Sequence, residues 1–526
     1  MLSVHSDMGT RFVADDGFEL PPLTELMTGM DGRRDPGVAP VVAGEPVRQR
    51  LVATYFDTAD QRLATAGLHL RRRTGGDDPG WRLNVPAGSN GRSEVRLPAG
   101  RSRRTVPTQL QQMVWARSLG AALQPVAEIV TDRTMTRLVD VTGQVVATLA
   151  DDRVTGRRML PTNGHASAAS AATSWREIEV QVDEVDRDLL SVVTARLHER
   201  GLHAAPRASE LTSVLEPRPG GASATTDGPK LTDRSSGGEA VLAHLRDQVE
   251  QVRAYDLPVR VDAPDAVHKM RVATRRLRSA LTTFNALFAA DVVRPVRGEL
   301  TWLAGELGGA RDAEVMRDRV RRAVEAEGEV VEAGSVAAVS DEELGQAYRA
   351  AHDRVLADLD GERYHALLAA LDGLVTAPPV RKRAAAPART ILPGLIARSY
   401  ADVRRIVEEA EATPAGAEQE ELWHDARKAA KRARYAGESV SGIFGADAVA
   451  FAKAMEEMQE ALGERQDSVL TRERLRDLAL HTSRTDAAFL YGRLHALEEI
   501  RGSRSQERID AAWQAAGRKS LHRWLR

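Results

Sequence analysis

The 526-residue chain contains no cysteine. That single absence excludes a disulfide framework, a thiol nucleophile and a thiolate metal site. Aromatic side chains are scarce, at 4% of residues, which weakens any reading that needs stacking platforms for nucleic-acid bases. No run of about 18 apolar residues occurs, so no membrane-spanning helix is expected. The opening stretch "MLSVHSDMGTRFVADDGFEL" has no basic segment followed by an apolar one. No signal peptide is therefore expected, and a cytoplasmic location fits. Charge of one sign is not in excess either: 73 Lys and Arg stand against 75 Asp and Glu, for a formal net charge of −2. Any anion site must be a local concentration of cations.

The chain is too long for one compact core, and its 42% apolar content suffices for several. Its texture changes near residue 217. Before that point, "VATYFD", "LHLRRRT", "GWRLNVP", "SEVRLP", "GQVVATLADDRV" and "WREIEVQVD" alternate apolar and polar residues between turn signals such as "GGDDPG" and "GSNG". They predict an antiparallel sheet or barrel, with one helix in "DRDLLSVVTARLHERG". Residues 217–235 are rich in Gly, Pro, Ser and Thr and read as a flexible linker. Residues 236–526 have helical periodicity. The stretch "APPVRKRAAAPART" divides them into halves at about 236–376 and 391–526, because proline and clustered charge oppose a continuous helix. The fold class expected is an α+β two-domain protein, with a domain over 1–216 and an all-α domain after the linker.

The helical region repeats itself. His268, Arg271, Arg275, Arg276 and Arg278 fall at offsets 0, 3, 7, 8 and 10; His424, Arg427, Lys431, Arg432 and Arg434 fall at the same offsets. "LGGARD" from Leu307 and "LGERQD" from Leu462 follow each histidine. The histidines are 156 residues apart (424 − 268) and the closing aspartates, Asp312 and Asp467, are 155 apart (467 − 312). Two motifs in one order at nearly one separation indicate an internal duplication.

On a helix with His268 at zero, Arg271, Arg278 and Arg275 lie at about 300°, 280° and 340°, with Arg276 near 80°. Met270, Ala273, Leu277, Leu281 and Phe284 lie opposite and predict a packing face. In the second copy Ala426, Ala429 and Ala433 take that face. A solvated surface stripe normally mixes Glu with Lys and Arg, since like charges repel. These basic faces contain no Glu, and Asp425 is the only acid in the second. Writing a costly pattern twice suggests a use. Two such faces brought together would suit a linear polyanion, since each arginine offers a fork of donors to phosphate oxygens. Base-reading residues are missing from both segments, so the pattern leans towards a plain phosphate chain without deciding it.

Together, "AVHKMRVATRRLRSAL" with "LGGARD" and "LWHDARKAAKRARY" with "LGERQD" resemble the two halves of a CHAD domain over roughly residues 236–526. The resemblance implies two antiparallel four-helix units with a basic groove that binds inorganic polyphosphate. Its contacts would come from His268, Arg271, Arg275, Arg276 and Arg278, more weakly from Arg311, and from His424, Arg427, Lys428, Lys431, Arg432, Arg434 and Tyr435. For Tyr435 and both histidines, packing is the open alternative.

"YFDTADQRLATAGLHLRRRTGGDDPGWRLNVP", "EVRLP", "ADDRV" and "WREIEV" resemble a CYTH domain, the triphosphate tunnel fold. The resemblance implies an eight-stranded antiparallel tunnel holding a triphosphate, or a nucleotide bearing one, and a divalent metal. By the same resemblance Arg11, Arg71, Arg73, Arg82, Arg96, Arg133 and Arg153 would hold phosphate. Glu94, Asp151, Glu177 and Glu179 would hold Mg²⁺ or Mn²⁺. The sequence departs from the family pattern. Asp7, Gly9 and Arg11 stand where Glu-x-Glu-x-Lys is usual, and Asn84 and Glu210 stand where lysines are usual. Phosphoryl transfer depends on metal and cation placement, so weak or no triphosphatase activity is expected.

The leading expectation is thus a polyphosphate-binding protein, associated with polyphosphate granules and without a membrane partner. A metal-dependent triphosphatase or short-chain polyphosphatase is the alternative. Nucleic acid is the least favoured ligand.

Overall fold

The computed structural model describes residues 3–5, 8–21, 23–26, 41–87, 91–100, 105–140, 142–159, 172–182, 187–204, 211, 214–215, 231–232, 234–326, 333–482 and 484–526. They form two compact units, Met1–Thr225 and Thr226–Arg526.

The alternating segments of the first unit become antiparallel strands. In chain order they are β1 (Ser3–His5), β2 (Met8–Ala14), β3 (Val41–Ala43), β4 (Val47–Asp57), β5 (His69–Thr74) and β6 (Gly80–Ala87), then β7 (Gly91–Pro98), β8 (Gln124–Asp140), β9 (Val145–Arg158), β10 (Thr173–Val182) and β11 (His203–Ala204). The ladder runs β1-β7-β6-β5-β4-β8-β9-β10-β2-β11, with β3 paired to β8. Its two ends come from one stretch of chain. Ser3–His5 pairs with residues 94–96 of β7, and Met8–Ala14 pairs with residues 176–182 of β10. Because only two residues separate β1 from β2, this N-terminal stretch ties β7 to β10 and returns the sheet on itself. Among the described residues the sheet has eleven strands, of which β3 and β11 are short additions.

Side chains alternate between the two faces of a strand. One face carries Phe12, Leu138, Leu149, Ile178 and Val180, covered by Val193 and Leu197 of helix α1 (Arg187–Glu199). On the other face, Ala53, Tyr55, Ala127, Ile129 and Val154 pack against Leu211, Val214 and Leu215. Gly156 permits this: a Cβ there would come within 2.2 Å of Val214 Cγ2. The remainder of that face is charged.

The second unit is helical. Helix α2 (Gly237–Arg260) opens on a capping box in which Ser236 and Glu239 satisfy each other's backbone N–H groups. Helices α3 (Ala266–Thr283), α4 (Ala290–Ala326), α5 (Ala333–Leu359) and α6 (Glu362–Thr376) complete the first half. A short 3₁₀ turn, Lys382–Ala385, and Pro387 lead into α7 (Ala388–Ala412). Helices α8 (Ala417–Ser439), α9 (Ala446–His481) and α10 (Thr485–Ala516) follow. Met270, Ala273, Leu277, Leu281 and Phe284 are buried, as are Ala426, Ala429 and Ala433, so both predicted packing faces point inward. The two basic helices, α3 and α8, pack against each other, as do α2 and α7. Among the described residues no helix is long and apolar enough to cross a membrane.

Candidate functional site

The α3–α8 contact brings the basic faces of both copies to one place. Arg271 and Arg427 occupy equivalent positions and are seated alike. The Arg271 guanidinium lies against Gly308, where a Cβ would be 3.4 Å from Nη2, and its Nη2 is 3.9 Å from Asp312. The Arg427 guanidinium lies against Gly463, where a Cβ would be 2.9 Å from Nη2, and Arg427 reaches Gln466 at 2.8 Å and Asp467 at 3.4 Å. The repeated Leu-Gly…Asp motif is therefore a seat. The glycine lets the guanidinium lie flat on the neighbouring helix, and the aspartate orients it.

Beyond these two, cations face cations. Burial pushes the Lys431 ammonium down to about 7, helped by Arg275, Arg427 and Arg271. Burial also lowers Arg275 and Arg278; Arg278 and Arg427 add to the effect on Arg275, and Arg432 and Arg297 to that on Arg278. Among the described residues, the side chains of Arg275, Arg278, Arg297, Lys431 and Arg432 form no ion pair. Charges gathered in this way raise one another's cost of protonation.

Other candidates are engaged elsewhere. Arg276 donates to Glu438 at 2.8 Å, and Arg434 reaches the same carboxylate at 2.7 Å and Glu456 at 2.8 Å. Tyr435 is buried beside both, its ring centroid 5.6 Å from the Arg276 guanidinium and 5.7 Å from that of Arg434. Arg311 is held by Glu314 at 2.7 Å, and the exposed Lys428 by Asp425 at 3.0 Å. His268 is half-buried and lowered by burial and then by Arg311. His424 is half-buried, with Nδ1 enclosed and without a partner.

The charged part of the sheet unit forms two clusters. Register aligns Arg71, Arg82 and Arg96 in one row across β5, β6 and β7, with His69, Asn84 and Glu94 in the next. Glu94 receives Arg96 at 2.6 Å, Arg82 at 3.0 Å and Arg71 at 3.5 Å. Burial alone would raise the Glu94 carboxyl; the three arginines outweigh it and hold the group low. Asp78 takes Arg82 at 2.6 Å. Burial, then Arg82 and Arg71, push Arg73 down to about 10. In the second cluster Arg133 makes a two-pronged bond to Asp152, at 2.8 and 2.7 Å, and reaches Glu179 at 3.0 Å. Arg11 lies 3.4 Å from Glu177 and 3.5 Å from Glu179. Glu177 also accepts from Trp175 Nε1 at 2.7 Å.

Asp151 and Arg153 are not brought to these clusters. They stand on the opposite face of β9, where Asp151 binds Arg176 at 2.9 and 2.8 Å and Arg153 is exposed. Asp152, beside them, is one residue the sequence did not single out. Which of two adjacent aspartates faces the cluster is fixed by register alone. Arg297 was missed because the equivalent position in the second copy is Ala452. Asn84 is half-buried with its Oδ1 enclosed and without a partner. Asp7 and Glu210 lie outside the described residues. Among the described residues no three His, Asp or Glu side chains converge as a metal site.

Residues 41–205 match the CYTH domain model and residues 243–476 the CHAD domain model. Uncharacterized protein MT2285 of Mycobacterium tuberculosis (strain CDC 1551 / Oshkosh) is 35% identical over 488 residues, covering 90% of this chain and 92% of that protein. Among solved structures, PptA from Streptomyces chartreusis is 24% identical, with a TM-score of 0.45, over 53% of this chain and 100% of that one. The CHAD domain from the plant Ricinus communis is 23% identical, with a TM-score of 0.43, over 54% of this chain and 93% of that one.

Proposed function

The chain belongs to the proteins in which a CYTH domain precedes a CHAD domain, and from that premise we propose that its helical unit holds inorganic polyphosphate while its sheet unit has weak or no triphosphatase activity. One observation carries the first half. Cations from both copies converge where α3 meets α8, and Arg275, Arg278, Lys431 and Arg432 have no carboxylate partner there. An arrangement that lowers its own lysine to about 7 is costly in the free protein. A bound polyanion removes that cost. A phosphate chain needs only cations, and Tyr435, the ring beside these cations, is buried and not open to a nucleic-acid base.

The second half rests on the carboxylates. The divalent ion implied by the family does not fit the residues as arranged. Glu94, Asp152, Glu177 and Glu179 are each bound by arginine, and Gly9 supplies no carboxylate. The enzyme reading keeps one supporting observation: the row of Arg71, Arg82 and Arg96, whose mutual repulsion a phosphate chain would relieve.

Titration of the purified chain with polyphosphate of defined length, at near-physiological salt with duplex DNA and RNA as competitors, tests the first half. Binding that nucleic acid does not displace is expected; equal displacement overturns it. Orthophosphate release from tripolyphosphate across metals and pH tests the second. Release well above background overturns the weak-activity reading.

A further inference from the structure

Metal-binding carboxylates need open lone pairs, and those of the sheet unit have been given to arginine. Arg133 covers both oxygens of Asp152 and one of Glu179. Arg11 spans Glu177 and Glu179. Trp175 and Gln181 take further positions on Glu177 and Glu179, at 2.7 and 3.3 Å. Asp152 and Glu177 are buried. Magnesium demands near-octahedral oxygen ligands. To enter here it would have to expel a guanidinium or sit beside one. Position 9 cannot restore a ligand without backbone movement, because a Cβ on Gly9 would lie 2.9 Å from the Val180 carbonyl oxygen.

The same unit also carries cations beyond those occupied with these acids. Arg71, Arg82 and Arg96 are neighbours in one cross-strand row, at the spacing of adjacent strands of roughly 5 Å. Arg73 stands two residues along β5 on the same face, with its Nε enclosed and without a partner. Arg133 acts electrostatically on Arg73, so the two clusters face a shared space. Four arginines there face Glu94 and Asp78.

We infer that the sheet unit is a metal-independent receptor for a short linear phosphate chain, in which Arg133 and Arg11 neutralise the carboxylates a divalent cation would otherwise occupy, and Arg71, Arg73, Arg82 and Arg96 take the phosphate oxygens. This deepens the weak-activity reading of the same site. A guanidinium supplies charge and directed donors but has no open coordination position for a water nucleophile.

The test uses the full-length chain carrying Arg275→Ala and Lys431→Ala, which removes two unpaired cations of the helical face, so that tripolyphosphate reports mainly on the sheet unit. Calorimetric titration is run in EDTA and again with Mg²⁺ or Mn²⁺. The dissociation constant in EDTA should be no weaker than with metal, and Arg82→Gln in that background should raise it about tenfold. Binding that vanishes in EDTA and appears on adding metal overturns the inference. So does binding that Arg82→Gln leaves unchanged.

A second readout does not involve phosphate. Mn²⁺ added to the unaltered chain should stay free by electron paramagnetic resonance, whereas Arg133→Gln should bind it through the released Asp152 and Glu179. Equal Mn²⁺ binding by both chains overturns the inference. If Arg133→Gln does not fold, Arg11→Gln serves the same comparison. Phosphate release is followed in the same samples. Metal-free binding accompanied by phosphate release in EDTA would leave the receptor inference standing and overturn the weak-activity reading, whereas metal-dependent binding without release would overturn the inference alone, so the two fail separately.

Discussion

Gly308 and Gly463 exist for the arginine opposite, not for the backbone. Both lie inside helices, where glycine costs about 1 kcal/mol relative to alanine, and both face a guanidinium. Gly463→Ala should therefore leave the melting temperature unchanged or slightly raised, yet weaken polyphosphate binding severalfold by displacing Arg427. Gly308→Ala, whose Cβ would sit 3.4 Å from Arg271 rather than 2.9 Å from Arg427, should have the smaller effect. Paired melting and titration measurements check this; equal affinity for both variants and the parent would remove the guanidinium seat from the site. Lys431 gives a second prediction. Its ammonium is lowered from 10.5 to about 7, so between those values the unfolded chain binds the proton and the folded chain does not. Stability should fall as pH drops through that window and level off below about 7. A bound polyanion favours the charged ammonium, so polyphosphate affinity should rise as pH falls from about 9 to about 6. Lys431→Met should flatten that rise. A flat profile in the parent chain would place Lys431 outside the binding surface.

At the scale of the helix, the packing faces of α3 and α8 were legible because their periodicity is strict and their apolar residues unambiguous. What the basic faces would meet was not. Helical angle says which way Arg276 and Arg434 point, but not that Glu438 receives both. Glu438 lies in α8 and Arg276 in α3, so this carboxylate joins the two copies. Replacing it with Gln should cost roughly 1–3 kcal/mol of stability, since it leaves two largely buried guanidinium groups short of a carboxylate, and should not weaken binding by the unpaired cations. Chemical denaturation and titration measure the two effects. A large rise in affinity would mean that Arg276 and Arg434, once released, act as ligands. In the sheet unit, sharing of a face by Arg71 and Arg73, Glu94 and Arg96, and Glu177 and Glu179 followed from the period of two. The choice between Asp151 and Asp152 did not, because one residue of slip exchanges the faces.

For the whole molecule, duplication was the most legible property, being written twice in sequence at nearly equal separations. Joining of the ladder ends by β1 and β2 was not legible, since β1 is three residues long and no local pattern announces its partner. The expected long polyanion also makes a prediction at this scale. Binding should weaken steeply with salt, and each of Arg275→Ala, Arg278→Ala and Lys431→Ala should reduce the logarithmic salt slope by up to about one. Unchanged slopes with the fold intact would overturn the assignment of the cationic face. The meeting of two copies at α3 and α8 has one more consequence. A phosphate chain reads the same from either end, whereas a nucleic-acid strand has polarity. Arg271 answers Arg427, and Arg275 answers Lys431, so a chain laid down in either sense meets nearly the same order of charges. A directionless ligand laid on this surface should therefore bind alike in both senses.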